Sequence, residues 1–171
     1  RRMIKELVWM PIENLKKGIL PIFEPGLEEI VKRNIKPKRL IFTLDYTKAI
    51  PSSSVVFIAV GTPPKANGEA DLSSVLLVAE KIGRNLGRYA VVVTKSTVPI
   101  GTNRKIKKII GRAMPETASF DVASIPEFLR EGQAISDTLH PDRIVIGTES
   151  KRAQDLLMEL HMPIDSKYVL T

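Results

Sequence analysis

The chain of 171 residues contains no cysteine, so neither a disulfide bond nor a thiolate metal site is possible. Its two histidines, His140 and His161, lie far apart without ligand spacing, and we expect no metal site. Aromatic residues make up only 5% of the chain, which leaves Ile, Val and Leu to fill a core. No apolar run approaches the roughly 20 residues that span a bilayer. Glu6 interrupts the short apolar stretch after Arg1-Arg2, so we expect a cytoplasmic protein without a signal peptide or a membrane partner.

Basic residues exceed acidic ones, and the excess lies early in the chain. The net charge is +7, and residues 1–50 carry eleven Lys or Arg against six acids. Such an excess suits a partner that carries phosphate groups. A nucleic-acid-binding module would need its basic residues grouped with aromatic ones on one face. Because the few aromatic residues fall mainly in strands or apolar stretches, we expect no nucleic-acid partner.

Predicted strands and helices alternate along most of the chain. Residues 55–60 form a run of six apolar residues, which predicts a strand buried on both faces, as in a parallel sheet. Further strands are predicted at residues 40–44, 89–94, 120–124, 144–146 and 168–170. Helices are predicted from Ile12, from Leu27 and behind the caps Asp71, Thr102 and Ser150. The alternation predicts an α/β fold with three layers and a mainly parallel sheet.

Polar side chains follow three of the predicted strands. Thr62 comes after the strand at residues 55–60, Thr97 after the next strand, and Glu127 after the third. The carboxyl ends of parallel strands meet at one edge of a sheet, where open α/β folds bind ligands. We therefore expect these three side chains along one edge. A helical turn would place Glu127 and Glu131 on one face, although acids at a helix N-terminus also have a purely structural explanation.

Six short segments follow one another in the order and spacing of a known family. They are residues 21–28 (PIFEPGLE), 60–63 (VGTP), 70–73 (ADLS), 95–102 (KSTVPIGT), 126–132 (PEFLREG) and 141–147 (PDRIVIG). Together they resemble the UDP-glucose/GDP-mannose dehydrogenase family, from about Ile12 to the C-terminus. The resemblance implies a Rossmann-like domain that binds NAD.

The resemblance also implies roles for single residues. Thr62 corresponds to a residue that contacts NAD, and Thr97 to an active-site threonine that touches the nicotinamide and helps to order a catalytic water. Glu127 corresponds to a carboxylate that handles a proton or water, a role that screening from solvent favours. Glu131 corresponds to a residue near both nicotinamide and sugar. The segment Phe128, Leu129 and Arg130 corresponds to one that cradles the UDP-sugar, partly through backbone groups.

These assignments give three sets of candidate residues. The catalytic set is Thr97, Glu127 and Glu131. The cofactor-binding set is Thr62, Thr97 and Glu131. The substrate-binding set is Glu127, Phe128, Leu129, Arg130 and Glu131. An ordinary turn after a strand would also account for the two threonines.

The activity implied by the resemblance is the NAD-dependent oxidation of UDP-glucose to UDP-glucuronate in two steps. Residues 141–147 resemble the UDP-glucose branch of the family more than the GDP-mannose branch, which stays the alternative. The family's Gly-rich turn and its nucleophilic cysteine have no counterpart in this sequence. We therefore expect a fragment that is inactive alone. A non-catalytic remnant that binds a UDP-sugar or associates with other chains is the other reading.

The missing Gly-rich turn also sets an expectation for the domain and its sheet. Residues 1–11 are interpreted as a segment outside the family, and residues 12–171 as a partial nucleotide-binding domain. The Rossmann-like sheet would be incomplete in its N-terminal half and would expose an edge. Because exposed edges recruit partners, a homo-oligomer is predicted, with the apolar residues 7–10 as part of the contact.

Overall fold

The computed structural model describes residues 12–171, which form two compact units. The sheet unit comprises residues 45–127 and 142–171. The helical unit comprises, in its described part, residues 12–44 and 128–141. The helices are α1 (Ile12–Lys16), α2 (Leu27–Ile35), α3 (Tyr46–Ala49), α4 (Ser73–Asn85), α5 (Thr102–Ala113), α6 (Ala134–Leu139) and α7 (Lys151–His161).

A single five-stranded sheet runs through the sheet unit in the order β1-β2-β3-β4-β5. Its strands are β1 (Val55–Ile58), β2 (Ala90–Thr94), β3 (Phe120–Ser124), β4 (Arg143–Thr148) and β5 (Lys167–Leu170). Strands β1, β2 and β3 are parallel, β4 is antiparallel to β3, and β5 is parallel to β4. The predicted α/β fold with a mainly parallel sheet is therefore confirmed.

Apolar side chains cover both faces of the sheet. Every residue of β2 is buried, because its side chains alternate between two separate clusters. One cluster joins Val92 to α4 and α5, while the other joins Val91 and Val93 to α7. The arrangement of helices, sheet and helix gives the predicted three layers.

Strand β1 lies at the edge of the sheet, and its outer side pairs with no other strand among residues 12–171. Burial on both faces was predicted for this strand, and that prediction is wrong: Phe57 is 38% exposed, and Ile58 is its one buried residue. The expected open edge is present in the described part of the chain. The predicted contact through residues 7–10 lies outside the described residues.

The strand predicted at residues 40–44 does not form, and this prediction is also wrong. Ile41 and Leu44 are 71% and 80% exposed, and the segment is irregular. A strand needs a neighbour to satisfy its backbone N–H and C=O groups. All five strands belong to the sheet unit, whereas this segment belongs to the helical unit, whose described residues include no strand.

The predicted helix caps are correct in one case and displaced in two. Ser150 Oγ accepts a hydrogen bond of 3.2 Å from the Ala153 N–H and caps α7, as predicted. Asp71 lies one residue before the N-cap of α4, and its carboxylate accepts 2.9 Å from the Ser73 N–H. The N-cap of α5 is Gly101 in the left-handed region (φ 86°), so Thr102 is the first helical residue and does not cap.

Candidate functional site

The turns after β1 and β2 touch at the carboxyl edge of the sheet. Thr62 Oγ1 donates a hydrogen bond of 2.9 Å to the backbone oxygen of Thr97. In the register of the sheet Ile58 lies beside Thr94, and Thr94 lies beside Ser124. The three strands therefore end together, and the segments that carry Thr62, Thr97 and Glu127 leave from the same edge. The expectation of a shared edge is met, whereas the chemical roles of these residues stay predictions.

Backbone and hydroxyl hydrogen bonds fix the turn after β2 against β1. The Lys95 N–H donates a hydrogen bond of 2.9 Å to the Ile58 oxygen, and Ser96 Oγ donates one of 2.7 Å to the Val60 oxygen. The hydroxyl of Ser96 is therefore already engaged in a hydrogen bond within the turn. The hydroxyl of the exposed Thr97 has no hydrogen-bond partner among the described residues, so it can meet a ligand.

The segment with the sequence ADLS returns to the turn with the sequence VGTP. The Asp71 N–H donates 2.8 Å to the Pro63 oxygen, which closes the loop between the two segments. The hydrogen bond from the Ser73 N–H holds the pKa of Asp71 below its usual value. Gly61 has open space where a Cβ atom would stand, so a ligand can approach the backbone closely at this point.

Lys95 is a further candidate that the sequence reasoning did not single out. It follows β2 directly and is half-buried. Burial lowers the pKa of its ammonium group, while the negative charge of Glu127 acts in the opposite direction. A cation close to Glu127 therefore lies at the carboxyl edge of the sheet. Its place inside the segment KSTVPIGT was the available signal, but a lysine in a turn is usually solvated.

The predicted helical turn that would join Glu127 and Glu131 does not form. Residues 125–130 have no regular secondary structure, residues 131–133 form a turn, and α6 begins at Ala134. Within the turn, Gly132 takes a left-handed φ of 79°. Glu127 is the last residue of the range 45–127 in the sheet unit, whereas Glu131 belongs to the helical unit. Glu127 is exposed in the sheet unit, so the described residues of that unit do not supply the predicted screening from water.

Arg130 is held by Asp137, an acid seven residues later in the helical unit. Asp137 accepts hydrogen bonds from the Arg130 backbone N–H (2.9 Å), Nε (3.1 Å) and Nη2 (2.6 Å). The Arg130 guanidinium accordingly holds the pKa of the Asp137 carboxyl below its usual value. The neighbouring side chains of Phe128 and Leu129 are 54% and 42% exposed. The segment predicted to cradle a UDP-sugar thus presents apolar side chains while Asp137 fixes its arginine.

Glu24, from the segment PIFEPGLE, holds the other end of the same stretch. Its Oε2 accepts 2.9 Å from the Gly132 N–H, and its Oε1 accepts 2.7 Å from the Ala134 N–H. Gly132 lies 108 positions after Glu24 in the sequence, and Ala134 lies 110 positions after it. No local sequence pattern predicts a pairing over this distance, and only the presence of Glu24 within a family-like segment pointed to it.

Two other kinds of site receive no support from the described residues. Within residues 12–171 no group of three or more His, Asp or Glu side chains is arranged to hold a metal ion. Over the same residues, the helices are too short or too polar to cross a bilayer.

Comparison with known proteins places this geometry in context. The family model described as the UDP-glucose/GDP-mannose dehydrogenase family, NAD binding domain, matches residues 10–165. UDP-glucose 6-dehydrogenase TuaD of Bacillus subtilis is 47% identical over 160 residues, which cover 94% of this chain and 35% of that protein. The chain therefore spans about a third of the length of the curated relatives that it matches.

Solved structures are similar along nearly the whole chain. A UDP-glucose dehydrogenase from the hyperthermophilic archaeon Pyrobaculum islandicum matches with a TM-score of 0.89 and 40% identity, covering 94% of this chain and 38% of that one. A ternary complex of GDP-mannose dehydrogenase from Pseudomonas aeruginosa matches with a TM-score of 0.88 and 38% identity, at the same coverage.

Proposed function

The chain belongs to the UDP-glucose/GDP-mannose dehydrogenase family, and on that premise we propose that it forms part of an NAD-dependent UDP-glucose 6-dehydrogenase. The observation that carries the proposal is the junction of the segments VGTP and KSTVPIGT at the carboxyl edge of the sheet, through the Thr62–Thr97 hydrogen bond of 2.9 Å. The alternative is a GDP-mannose dehydrogenase, which the similar fold of the Pseudomonas aeruginosa enzyme favours.

The residues at the edge fit a dinucleotide. Open space at Gly61 admits a ligand to the backbone, and the hydroxyl of Thr97 points to no partner among the described residues. Thr62 and Thr97 would hold NAD in the sheet unit, and Glu131 is the cofactor residue proposed in the helical unit. Bound NAD supplies the hydride acceptor for oxidation of an alcohol. The chain's own part is to orient the ligand with these hydroxyls and to place Glu127 as the group that handles a proton, with Lys95 as a nearby cation.

The helical unit would contribute contacts to the sugar nucleotide. We propose that Phe128, Leu129 and Arg130 meet the ligand through side-chain surface and backbone groups, with Glu131 beside them. Because Asp137 engages the guanidinium, Arg130 would act mainly by holding the segment's shape. Arg130→Ala should weaken the response to UDP-glucose, whether the side chain contacts the ligand or only holds the segment's shape.

Ligand binding provides the test of this function. We expect the 171-residue chain to bind UDP-glucose with a millimolar dissociation constant, worth roughly 4 kcal/mol, and NAD more weakly. NMR titration with UDP-glucose, GDP-mannose and NAD would measure each affinity. Responses at Thr97 and at residues 127–131 to UDP-glucose alone support the proposal. A stronger response to GDP-mannose would favour the alternative, and tight NAD binding without any response to UDP-glucose would contradict the proposed site.

Turnover is expected to be absent from the isolated chain. The sequence has no cysteine, so the covalent intermediate of the family cannot form on it. The assay is NADH absorbance with UDP-glucose as substrate and a full-length relative as control. Turnover clearly above background would show that the activity does not need the cysteine-bound intermediate.

We also propose that the chain forms homo-oligomers in the cytoplasm. The support is the outer side of β1, where exposed Phe57 lies beside backbone groups that need partners. Light scattering at tens of micromolar should report a dimer or a larger assembly. A monodisperse monomer would contradict the oligomer, and recovery of the native protein in a membrane or secreted fraction would contradict the location.

A further inference from the structure

We propose that Glu24 is a positioning residue for the sugar-nucleotide segment, residues 128–132, which it holds through backbone hydrogen bonds to Gly132 and Ala134. The proposal rests on the proposed function, since it concerns how that segment is presented to a UDP-sugar. Glu24 is the first of the two acids in the segment PIFEPGLE.

The contact is made by both oxygens of one half-buried carboxylate. Oε2 accepts 2.9 Å from the Gly132 N–H, and Oε1 accepts 2.7 Å from the Ala134 N–H. Two bonds to different residues fix the position of the turn as well as its distance from Glu24. Hydrogen bonds to a charged acceptor are also about twice as strong as those between neutral groups.

Asp137 holds the start of the same stretch in a similar way. It accepts 2.9 Å from the Arg130 N–H, and the Gln133 N–H donates 3.0 Å to the Arg130 oxygen. Backbone donors at residues 130, 132 and 134 therefore all point at carboxylates of the helical unit. The left-handed Gly132 lies between them, with φ 79°.

Helix α6 cannot supply this order by itself. It spans six residues, whereas isolated helices shorter than about 12 residues are marginal in water. The side chains of Phe128 and Leu129 are 54% and 42% exposed. The two acids each fix backbone groups of the segment, and Glu24 is the anchor that is remote in sequence.

Substitution of Glu24 separates this role from general stability. Glu24→Ala removes both acceptors. Glu24→Gln keeps the size but turns one acceptor into a donor that faces an N–H group. Glu28→Gln is the matched control, because Glu28 is an exposed acid of the same unit that pairs with Lys32.

The experiment uses the 15N-labelled 171-residue chain and measures amide hydrogen exchange, UDP-glucose affinity by NMR, and the urea midpoint of the sheet unit. Both Glu24 variants should speed exchange at Gly132 and Ala134 about tenfold or more, since each loses a bond to a charged group. They should weaken UDP-glucose binding about fivefold to tenfold by releasing the segment. The urea midpoint should stay unchanged, and Glu28→Gln should leave all three measurements unchanged.

Each contrary result has a distinct meaning. Unchanged exchange at Gly132 and Ala134 would overturn the positioning role directly. Faster exchange with unchanged UDP-glucose affinity would show that Glu24 orders the turn without serving the ligand, and the proposed function would stand. If the Glu24 variants also lowered the urea midpoint of the sheet unit, Glu24 would contribute to the stability of the whole fold and not specifically to the position of this segment. If the unsubstituted chain gives no response to UDP-glucose, the proposed function fails, and the ligand part of this proposal fails with it.

Discussion

The two units are stabilised by different kinds of interaction. The sheet unit contains two clusters of buried apolar side chains, one on each face of the sheet. In the described part of the helical unit, Val31 is the one buried hydrophobic residue. In that described part, the carboxylates of Glu24 and Asp137 accept backbone hydrogen bonds.

This difference bears on function because the candidate residues divide between the units. Thr62, Thr97 and Glu127 follow strands whose positions are set by buried packing. Phe128 to Glu131 belong to a stretch in which Glu24 and Asp137 accept hydrogen bonds from the backbone. A single substitution or a change of pH can remove such contacts, whereas apolar packing is insensitive to pH. We therefore expect the sugar-nucleotide segment to be more easily disordered than the edge that carries the threonines.

Removal of a core side chain should produce the largest effect. Ile106 is completely buried between α5 and the sheet, so Ile106→Ala should lower the free energy of unfolding by about 2–5 kcal/mol. Ile41 in the helical unit is 71% exposed, and Ile41→Ala should change it by less than about 0.5 kcal/mol. Urea denaturation followed by circular dichroism measures both values. Equal losses would remove the contrast between the units.

Loss of the cap on α7 should have a smaller effect. Ser150 Oγ accepts from the Ala153 N–H and donates 2.6 Å to Asp121 Oδ2, so it joins the helix to β3. Ser150→Ala should lower the free energy of unfolding by about 1–2 kcal/mol. Ser74→Ala, on the exposed side of α4, is the control and should be near neutral. A neutral Ser150→Ala would mean that packing alone positions α7.

The phenol of Tyr89 should ionise late. Burial, reinforced by its 2.8 Å hydrogen bond to Asp121, raises the pKa of Tyr89 to about 12. Since the folded pKa is raised, the related stabilisation is complete below the unfolded value of 10.0 and is lost as the pH rises through about 12. Phenolate absorbance of the parent chain and of Tyr89→Phe would identify this tyrosine. Ionisation of Tyr89 at its ordinary value would contradict the network.

Acid should release the helical unit's segment with the least effect on the whole fold. Arg130 lowers the pKa of Asp137, so the stabilisation is present above the unfolded value of 3.8 and is lost as the pH falls through the lower folded value. The NMR signals of the Arg130 amide and Nε should shift over that range. In Asp137→Asn the shift should be absent. A parent chain whose Arg130 signals do not change with pH would exclude the ion pair.

Sequence reasoning succeeded where structure follows from local or periodic patterns. The apolar runs of β2 to β5 and the cap at Ser150 were identified because burial and capping are written in neighbouring residues. It failed for residues 40–44, where an apolar run has no strand beside it in the described part of the helical unit. It also failed for the helical turn at Glu127, because an i, i+4 pair of acids is compatible with a helix but does not require one, and the helix begins only at Ala134.

The candidate site shows the same division. Its place at the carboxyl edge follows from strand order and the resemblance, and the Thr62–Thr97 hydrogen bond agrees with it. Glu24 and Lys95 were not predicted as site residues, because their partners are distant in sequence or depend on burial in the folded chain. Such pairings need the three-dimensional structure.

Native-state hydrogen exchange in increasing urea tests the contrast between the two units most directly. Amides of β2 should exchange only through global unfolding, and their protection should fall in Ile106→Ala. The amides of Gly132 and Ala134 should open at a much smaller free energy that Ile106→Ala leaves unchanged. If they instead open with the same free energy as β2 and fall in parallel with it, the chain unfolds as one cooperative unit, and the proposed difference between the units is wrong.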